Sequence, residues 1–260
     1  MSEPAVDYVT VNEEECRVWR KGSGPKLGFL AGHGGLPKWI PFLDALADNF
    51  EVVVPSLPGY PGANGHQKLD AHIDWVLAVG DLLRATGLND AAGLVGSGPG
   101  GSFAAEAAAF WPQSVPKLAL IAPWGLFDEK DPMTDPWGQR KPDVAGLLCH
   151  NPDRWNDLKT APEGANSVEW PIEQARAMEA SARAFWPLGN SGLDRRLGRI
   201  RCPTLLLWGD ADQIVPRSYA EKFVNGINGD SKIEIVADAG HLAELDRPAE
   251  VAAAIRSFVA

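Results

Sequence analysis

Unbroken apolar runs of strand length recur along the chain, separated by longer stretches with a helical period. Six stand out: KLGFLAG (26–32), FEVVVPS (50–56), AAGLVGS (91–97), KLALIAP (117–123), PTLLLWG (203–209) and SKIEIVA (231–237). A strand that is apolar throughout, rather than at alternate positions, is one covered on both faces, as in a parallel sheet between helical layers. The stretch before them, VDYVTVNEEECRVWR, alternates and fits an antiparallel hairpin at a sheet edge. Helical patterns fill the gaps. In DAHIDWVLAVGDLLRATGL, Ile73, Val76, Leu77, Gly80 and Leu83 recur at helical spacing, and Gly87 marks the stop. SFAAEAAAF (102–110) predicts an alanine-rich helix ending before Pro112. RPAEVAAAIRSFV (247–259) predicts a closing helix with Pro248 in its first turn. Strands alternating with helices give an α/β fold with a mostly parallel sheet.

The alternation fails between residues 127 and 195. That segment carries Trp137, Trp155, Trp170 and Trp186, is rich in Pro, Asp and Asn, and has no strand-like run. Its clearest helix is PIEQARAMEASARAFW. It reads as a helical insertion (127–195) in a core made of residues 1–126 and 196–260. A chain of 260 residues suits that arrangement.

Composition narrows the function classes. The net charge of −10 gives no electrostatic footprint for nucleic acid or an anionic membrane. Cys16, Cys149 and Cys202 are far apart and outside any CxxC or Cys/His cluster, so neither a disulfide framework nor a zinc site is expected. His33, His66, His72 and His150 share no metal-ligand spacing. The start, MSEPAVDYVTVNEEEC, lacks the layout of a signal peptide, and no apolar run approaches the roughly 18 residues of a membrane span. The expectation is a cytoplasmic protein without cofactor or metal, acting on a small molecule.

Three loops leave strand ends with unusual content, and ligands of open α/β sheets bind beyond such ends. GSGPG (96–100) joins a strand to the alanine-rich helix. WGDADQIVP (208–216) offers Asp212 and, less well placed, Asp210. ADAGHLAELDRP (237–248) offers His241. Each is weak alone, but together they follow the chain order nucleophile, acid, base. With GHGG (32–35) after an early strand, they make the chain resemble the α/β-hydrolase family from about residue 10 to 258. The resemblance implies an eight-stranded, mostly parallel sheet with a helical cap inserted after the sixth strand. It implies Asp212 as the triad acid and His241 as the base. It also implies that the turn of His33, Gly34 and Gly35 supplies an oxyanion-hole N–H.

The chain departs from the family twice at the elbow. The nucleophile position is Gly98, which has no side chain with which to form an ester. The next residue, whose N–H would complete the oxyanion hole, is Pro99, which has none. Ser97 and Ser102 are the neighbouring hydroxyls. Ser97 is expected to point away from the site, and Ser102 sits a helical turn on. Trp39 near the HGG turn, Trp124 after the sixth strand and Trp186 in the insertion suggest an apolar or aromatic substrate. Three readings follow. Gly98 replaces the serine of an ester or carbon–carbon bond hydrolase. Or Gly98 is native and His241 with Asp212 performs cofactor-free base chemistry. Or the chain is a small-molecule receptor or carrier.

Overall fold

The computed structural model describes residues 3–260. In chain order the elements are β1 (Ala5–Val11), β2 (Glu14–Lys21), β3 (Lys26–Leu30), α1 (Pro41–Ala47), β4 (Glu51–Pro55), α2 (His72–Ala85), β5 (Gly93–Ser97), α3 (Gly98–Phe110) and β6 (Leu118–Ile121). Then follow α4 (Lys141–Leu148), α5 (Pro152–Lys159), α6 (Glu169–Phe185), β7 (Thr204–Gly209), α7 (Ser218–Gly226), β8 (Ser231–Val236), α8 (Ala243–Asp246) and α9 (Pro248–Val259).

The described strands form an eight-stranded sheet in the order β1-β2-β4-β3-β5-β6-β7-β8. β1 pairs antiparallel with β2, and β2 antiparallel with β4, as the alternating first segment implies. The remaining pairs are parallel. Every residue of β5, β6 and β7 is buried, which their continuous apolar runs require. β8 differs. It reads as a covered run, yet as the far edge strand it is half exposed, with Ile235 at the surface.

Two helices correct the sequence reading. In α2 the expected Val76, Gly80 and Leu83 are buried, but Ile73 and Leu77 are exposed and Trp75, Val79 and Leu82 complete the buried face. The stripe through Trp75 fits the helical period as well and buries the larger side chain. Ile73 and Leu77 lie on a neighbouring face, one residue being about 100° of rotation. α3 begins at Gly98, a turn before the alanine-rich run, and is buried from Gly98 to Ala109. Small residues let it lie against the sheet. A Cβ on Gly96 would come within 2.5 Å of the Gly100 carbonyl oxygen, and one on Gly100 within 2.3 Å of the Leu30 carbonyl oxygen. The outer glycines of the G-x-G-x-G frame are therefore dictated by packing.

Helices α4, α5 and α6 lie between β6 and β7, where the strand rhythm stops. α6 is tied to the loop between β4 and α2. Glu173 accepts the Gly62 N–H, Glu179 meets His66 at 2.8 Å, and the Arg183 guanidinium donates to the Leu69 carbonyl. Past α6, Arg196 forks onto Glu106, which is wholly buried in α3 and also faces His72. Burial alone would raise the Glu106 pKa, but the His72 and Arg196 hydrogen bonds hold it below the ordinary carboxylate value. The turn 31–35, Gly98, Trp124, Asp212 and His241 all follow the carboxyl ends of strands, at the same end of the parallel sheet.

Candidate active site

Asp212 follows β7 and His241 follows β8, and the parallel pairing of those strands brings them together. Asp212 Oδ2 lies 3.0 Å from His241 Nδ1. The other carboxylate oxygen accepts the N–H groups of Ile214 and Val215, at 2.8 and 3.0 Å, which pins the acid loop. Asp210 accepts only from the Ala239 N–H, at 3.3 Å. His241 is fully buried and the Asp212 side chain nearly so. A carboxylate can only accept, so Nδ1 carries the imidazole proton. Nε2 is then an acceptor, and it takes the indole N–H of Trp124 at 3.0 Å. Indole can only donate, so both neighbours dictate the same tautomer. The basic lone pair of Nε2 is held by Trp124.

Gly98 has φ of +46°, a backbone conformation open to glycine at little cost. A Cβ there would lie 3.0 Å from His241 Nε2 and 3.5 Å from Trp124 Nε1. Trp124 also donates its backbone N–H to the Gly98 carbonyl at 3.0 Å. The dyad and Trp124 are thus packed against the glycine. Pro99 stands in the first turn of α3. The Ser97 hydroxyl points toward Gly32, where a Cβ would sit 3.0 Å from it, and Ser102 faces Gly125. Neither hydroxyl bonds to His241.

The N–H groups of both glycines of the HGG turn are already engaged. Gly34 donates to Ser181 Oγ of α6 at 3.2 Å, and Ser181 in turn donates to the Tyr60 hydroxyl. Gly35 donates to the Gly32 carbonyl, and the Gly34 carbonyl accepts from the Lys159 ammonium at 3.3 Å. Burial pushes Lys159 down to about 7, Glu173 opposing it. The His33 ring is 1% exposed and lies among Trp137, Trp124 and Trp155, at centroid distances of 5.3, 5.8 and 6.3 Å. Neither of its nitrogens has a protein partner, and burial, with Lys159 and His241 nearby, holds it neutral with a pKa of about 3. Trp124 meets Trp137 and Phe185 edge-on, each at 5.6 Å. Aromatic rings therefore fill the space over the dyad.

Of the three tryptophans singled out from sequence, only Trp124 touches His241. Trp186 is 58% exposed and bonds Asp135, because α6 ends at Phe185 and the chain turns outward there. Phe185 occupies the inner position instead. Trp39 packs against Trp19 and bonds Asp44, away from the dyad. Trp137 and Trp155 are visible in the sequence only as members of a Trp-rich segment. Ser181, Lys159 and Glu244 carry no signal at all. Among the described residues no cluster of three or more His, Cys, Asp or Glu is arranged for a metal, and no helix is long and apolar enough to cross a membrane.

Comparison with known proteins fits this geometry. A family model described as the alpha/beta hydrolase fold matches residues 28–248. The chain is 28% identical over 257 residues to the dihydrolipoyllysine-residue acetyltransferase component of the acetoin cleaving system of Cupriavidus necator. That match covers 94% of this chain and 66% of the relative, just under two thirds of its length. It is 24% identical to monoacylglycerol lipase ABHD6 of Homo sapiens, over 94% of this chain and 79% of that one. Among solved structures, 2-hydroxy-6-oxo-6-phenylhexa-2,4-dienoate hydrolase from Rhodococcus sp. strain RHA1 aligns with a TM-score of 0.79 at 20% identity, covering 99% of both chains. At that identity the likeness is one of fold.

Proposed function

Since the chain belongs to the alpha/beta hydrolase fold family, and its relatives include hydrolases, we propose that it is an enzyme of that type working without a serine ester. In this reading His241 is a general base oriented by Asp212, and its target is a water or an acidic C–H of a small apolar or aromatic substrate. The observation that carries it is the buried Asp212–His241 pair, with Nε2 beside a side-chain-free Gly98, where a Cβ would stand 3.0 Å away. The substrate takes the place of the Trp124 N–H at Nε2. Helices α4 to α6 act as the cap, and their rings, with Trp124, favour a planar apolar partner. Three free cysteines, two of them buried, fit a reducing compartment, and we read the protein as cytoplasmic.

One observation favours the carrier reading instead. Every group the chemistry needs is already bonded within the chain, Nε2 to Trp124 and the Gly34 N–H to Ser181. Product analysis separates the two. Aromatic esters and aryl ketones with an acidic neighbouring C–H are incubated with the parent chain and with His241→Ala, and the intact protein is weighed by mass spectrometry. The base reading expects product from the carbon acids, dependent on His241, and no acyl adduct. Binding without product in either chain supports the carrier.

A further inference from the structure

Four aromatic rings cluster at the dyad. His33 is stacked against Trp124 at 5.8 Å and against Trp155 at 6.3 Å between ring centres. Trp137 meets His33 and Trp124 edge-on, at 5.3 and 5.6 Å. Trp124 is the common neighbour, since its ring touches His33 and Trp137 and its N–H bonds His241 Nε2. Three polar atoms of this cluster are buried without a hydrogen-bond partner: both ring nitrogens of His33, and Trp137 Nε1. Such groups are costly and uncommon in a folded chain, so two side by side call for a partner from outside it. The Ser97 hydroxyl and Glu244 Oε2 also lack partners, but they lie beside each other and outside the ring cluster.

Base chemistry beside a carbonyl calls for the same kind of group. When His241 takes the proton, the C–H electron pair becomes a C=C bond and the C=O pair moves onto oxygen. The proton rests on Nε2 and returns to carbon in the reverse step, so no co-reactant is needed. The charge on oxygen is stabilised by N–H donors already in place. The backbone does not offer them. The Gly34 N–H is bonded to Ser181, the Gly35 N–H to the Gly32 carbonyl, and Pro99 has none. The side chains do offer them: Trp137 has its indole N–H, and a neutral imidazole has one N–H. Burial, with Lys159 and His241 adding to it, lowers the His33 pKa to about 3, so this ring donates while uncharged.

We propose that His33 and Trp137 are the oxygen-binding pair of this site, donating their ring N–H groups to the carbonyl oxygen of an aryl carbon acid whose C–H takes the place of the Trp124 N–H at His241. The inference rests on the base reading of His241 and names its substrate class, a planar aromatic ketone or related carbonyl compound with an acidic C–H beside the carbonyl carbon. Two hydrogen bonds of about 2.9 Å to one oxygen reach donors up to nearly 6 Å apart. Rings with centres 5.3 Å apart suit that reach. The oxygen and the acidic carbon of such a compound are two bonds apart, which fits a donor pair and a base that share Trp124 as neighbour. Trp137 stands in the stretch between β6 and α4, so the ring that closes the cluster is carried by a loop. Lys159, whose ammonium bonds the Gly34 carbonyl, is the rival group for an anionic oxygen.

The probe is 4-nitrophenolate, a flat aromatic anion with its charge on one oxygen, as in an enolate. Nitrobenzene is the counterpart without that oxygen. Nitrogen-15 NMR on the full chain at pH 8 reads the Trp137 indole proton, identified by its loss in Trp137→Phe. It is expected to move downfield as the anion saturates the site. The Trp208 indole, bonded to the Val215 carbonyl, is the internal reference and stays in place. His33→Phe and Trp137→Phe, checked for folding by thermal melts, are each expected to weaken 4-nitrophenolate about 10- to 100-fold and nitrobenzene far less. No binding of the anion to the parent, an unmoved Trp137 proton at saturation, or equal weakening of both probes overturns the proposal. So does loss of the anion in Lys159→Met alone, which assigns the oxygen to the lysine. In turnover, deuterium exchange into the methyl group of acetophenone is expected to fall about 100- to 1000-fold in His33→Phe, in kcat rather than KM. Undiminished kcat counts against the pair. If His241→Ala exchanges as fast as the parent, the base reading falls, and the 4-nitrophenolate experiment still decides whether His33 and Trp137 bind the oxygen.

Discussion

On the proposed reading of Gly98 as the nucleophile position, serine there would restore the nucleophile, and the structure predicts that it restores little else. A non-glycine residue at φ of +46° costs about 1–3 kcal/mol. The new Cβ would stand 3.0 Å from His241 Nε2, and its hydroxyl would compete with the Trp124 indole for that nitrogen. Leaving a buried partner of that bond unsatisfied costs about 1–3 kcal/mol more. The sum is about 2–6 kcal/mol, which for a chain of this size lowers Tm by roughly 5–20 °C. Acyl transfer gains little, because Pro99 has no N–H and one missing oxyanion donor costs about 100- to 1000-fold. The N–H groups of Gly34 and Gly35 are bonded elsewhere. Thermal melts and a nitrophenyl-ester burst assay on Gly98→Ser read both effects, and a Gly98→Ser, Pro99→Ala double variant should hydrolyse faster than the single one. A single variant that melts with the parent and shows a full acyl burst would refute this reasoning. The Trp124–His241 contact would then be no fixed part of the site.

Other substitutions probe its parts. Trp124→Phe removes the N–H together with the five-membered half of a buried indole, so stability should fall by more than the about 0.5–1.5 kcal/mol of the hydrogen bond alone while base activity rises; denaturant titration and initial rates check both. Asp212→Asn turns an acceptor into a possible donor, which would move the imidazole proton to Nε2 and set it against the Trp124 N–H. Base activity should drop about 100- to 10,000-fold, read as single-turnover rates. His33 tests the electrostatics of burial. Its folded pKa of about 3 lies below the ordinary 6.5, so the unfolded chain binds the proton first. Stability is therefore lost as pH falls from 6.5 toward 3, by up to about 1.4 kcal/mol per pH unit. Urea titrations at pH 7 and pH 5 should show a smaller loss in His33→Phe.

Most of the fold was legible because burial on both faces leaves a plain mark. β5, β6 and β7 are apolar throughout, and the rhythm stops where α4 to α6 are inserted. α2 was legible as a helix and its inner face in part, Val76, Gly80 and Leu83 being buried as expected, but only packing chooses Trp75 over Ile73. In the site, Asp212 and His241 stand at strand ends in a recognisable order. The Trp124 bond to Nε2 could not be read, because nothing local distinguishes an indole that bonds a base from one that only packs. Trp186 and Phe185 are adjacent, and where α6 ends decides which of them faces inward. Ser181, Lys159 and Glu244 reach the HGG turn or the elbow through tertiary packing alone.

The central claim is that a buried base works here without a nucleophile. Elimination from a nitrobenzisoxazole tests it most directly, since this flat aromatic carbon acid needs only a proton acceptor and no attacking oxygen. The account predicts a rate above that of buffer in the parent chain, and a loss of about 100- to 10,000-fold in His241→Ala. Equal rates in the two chains would contradict it.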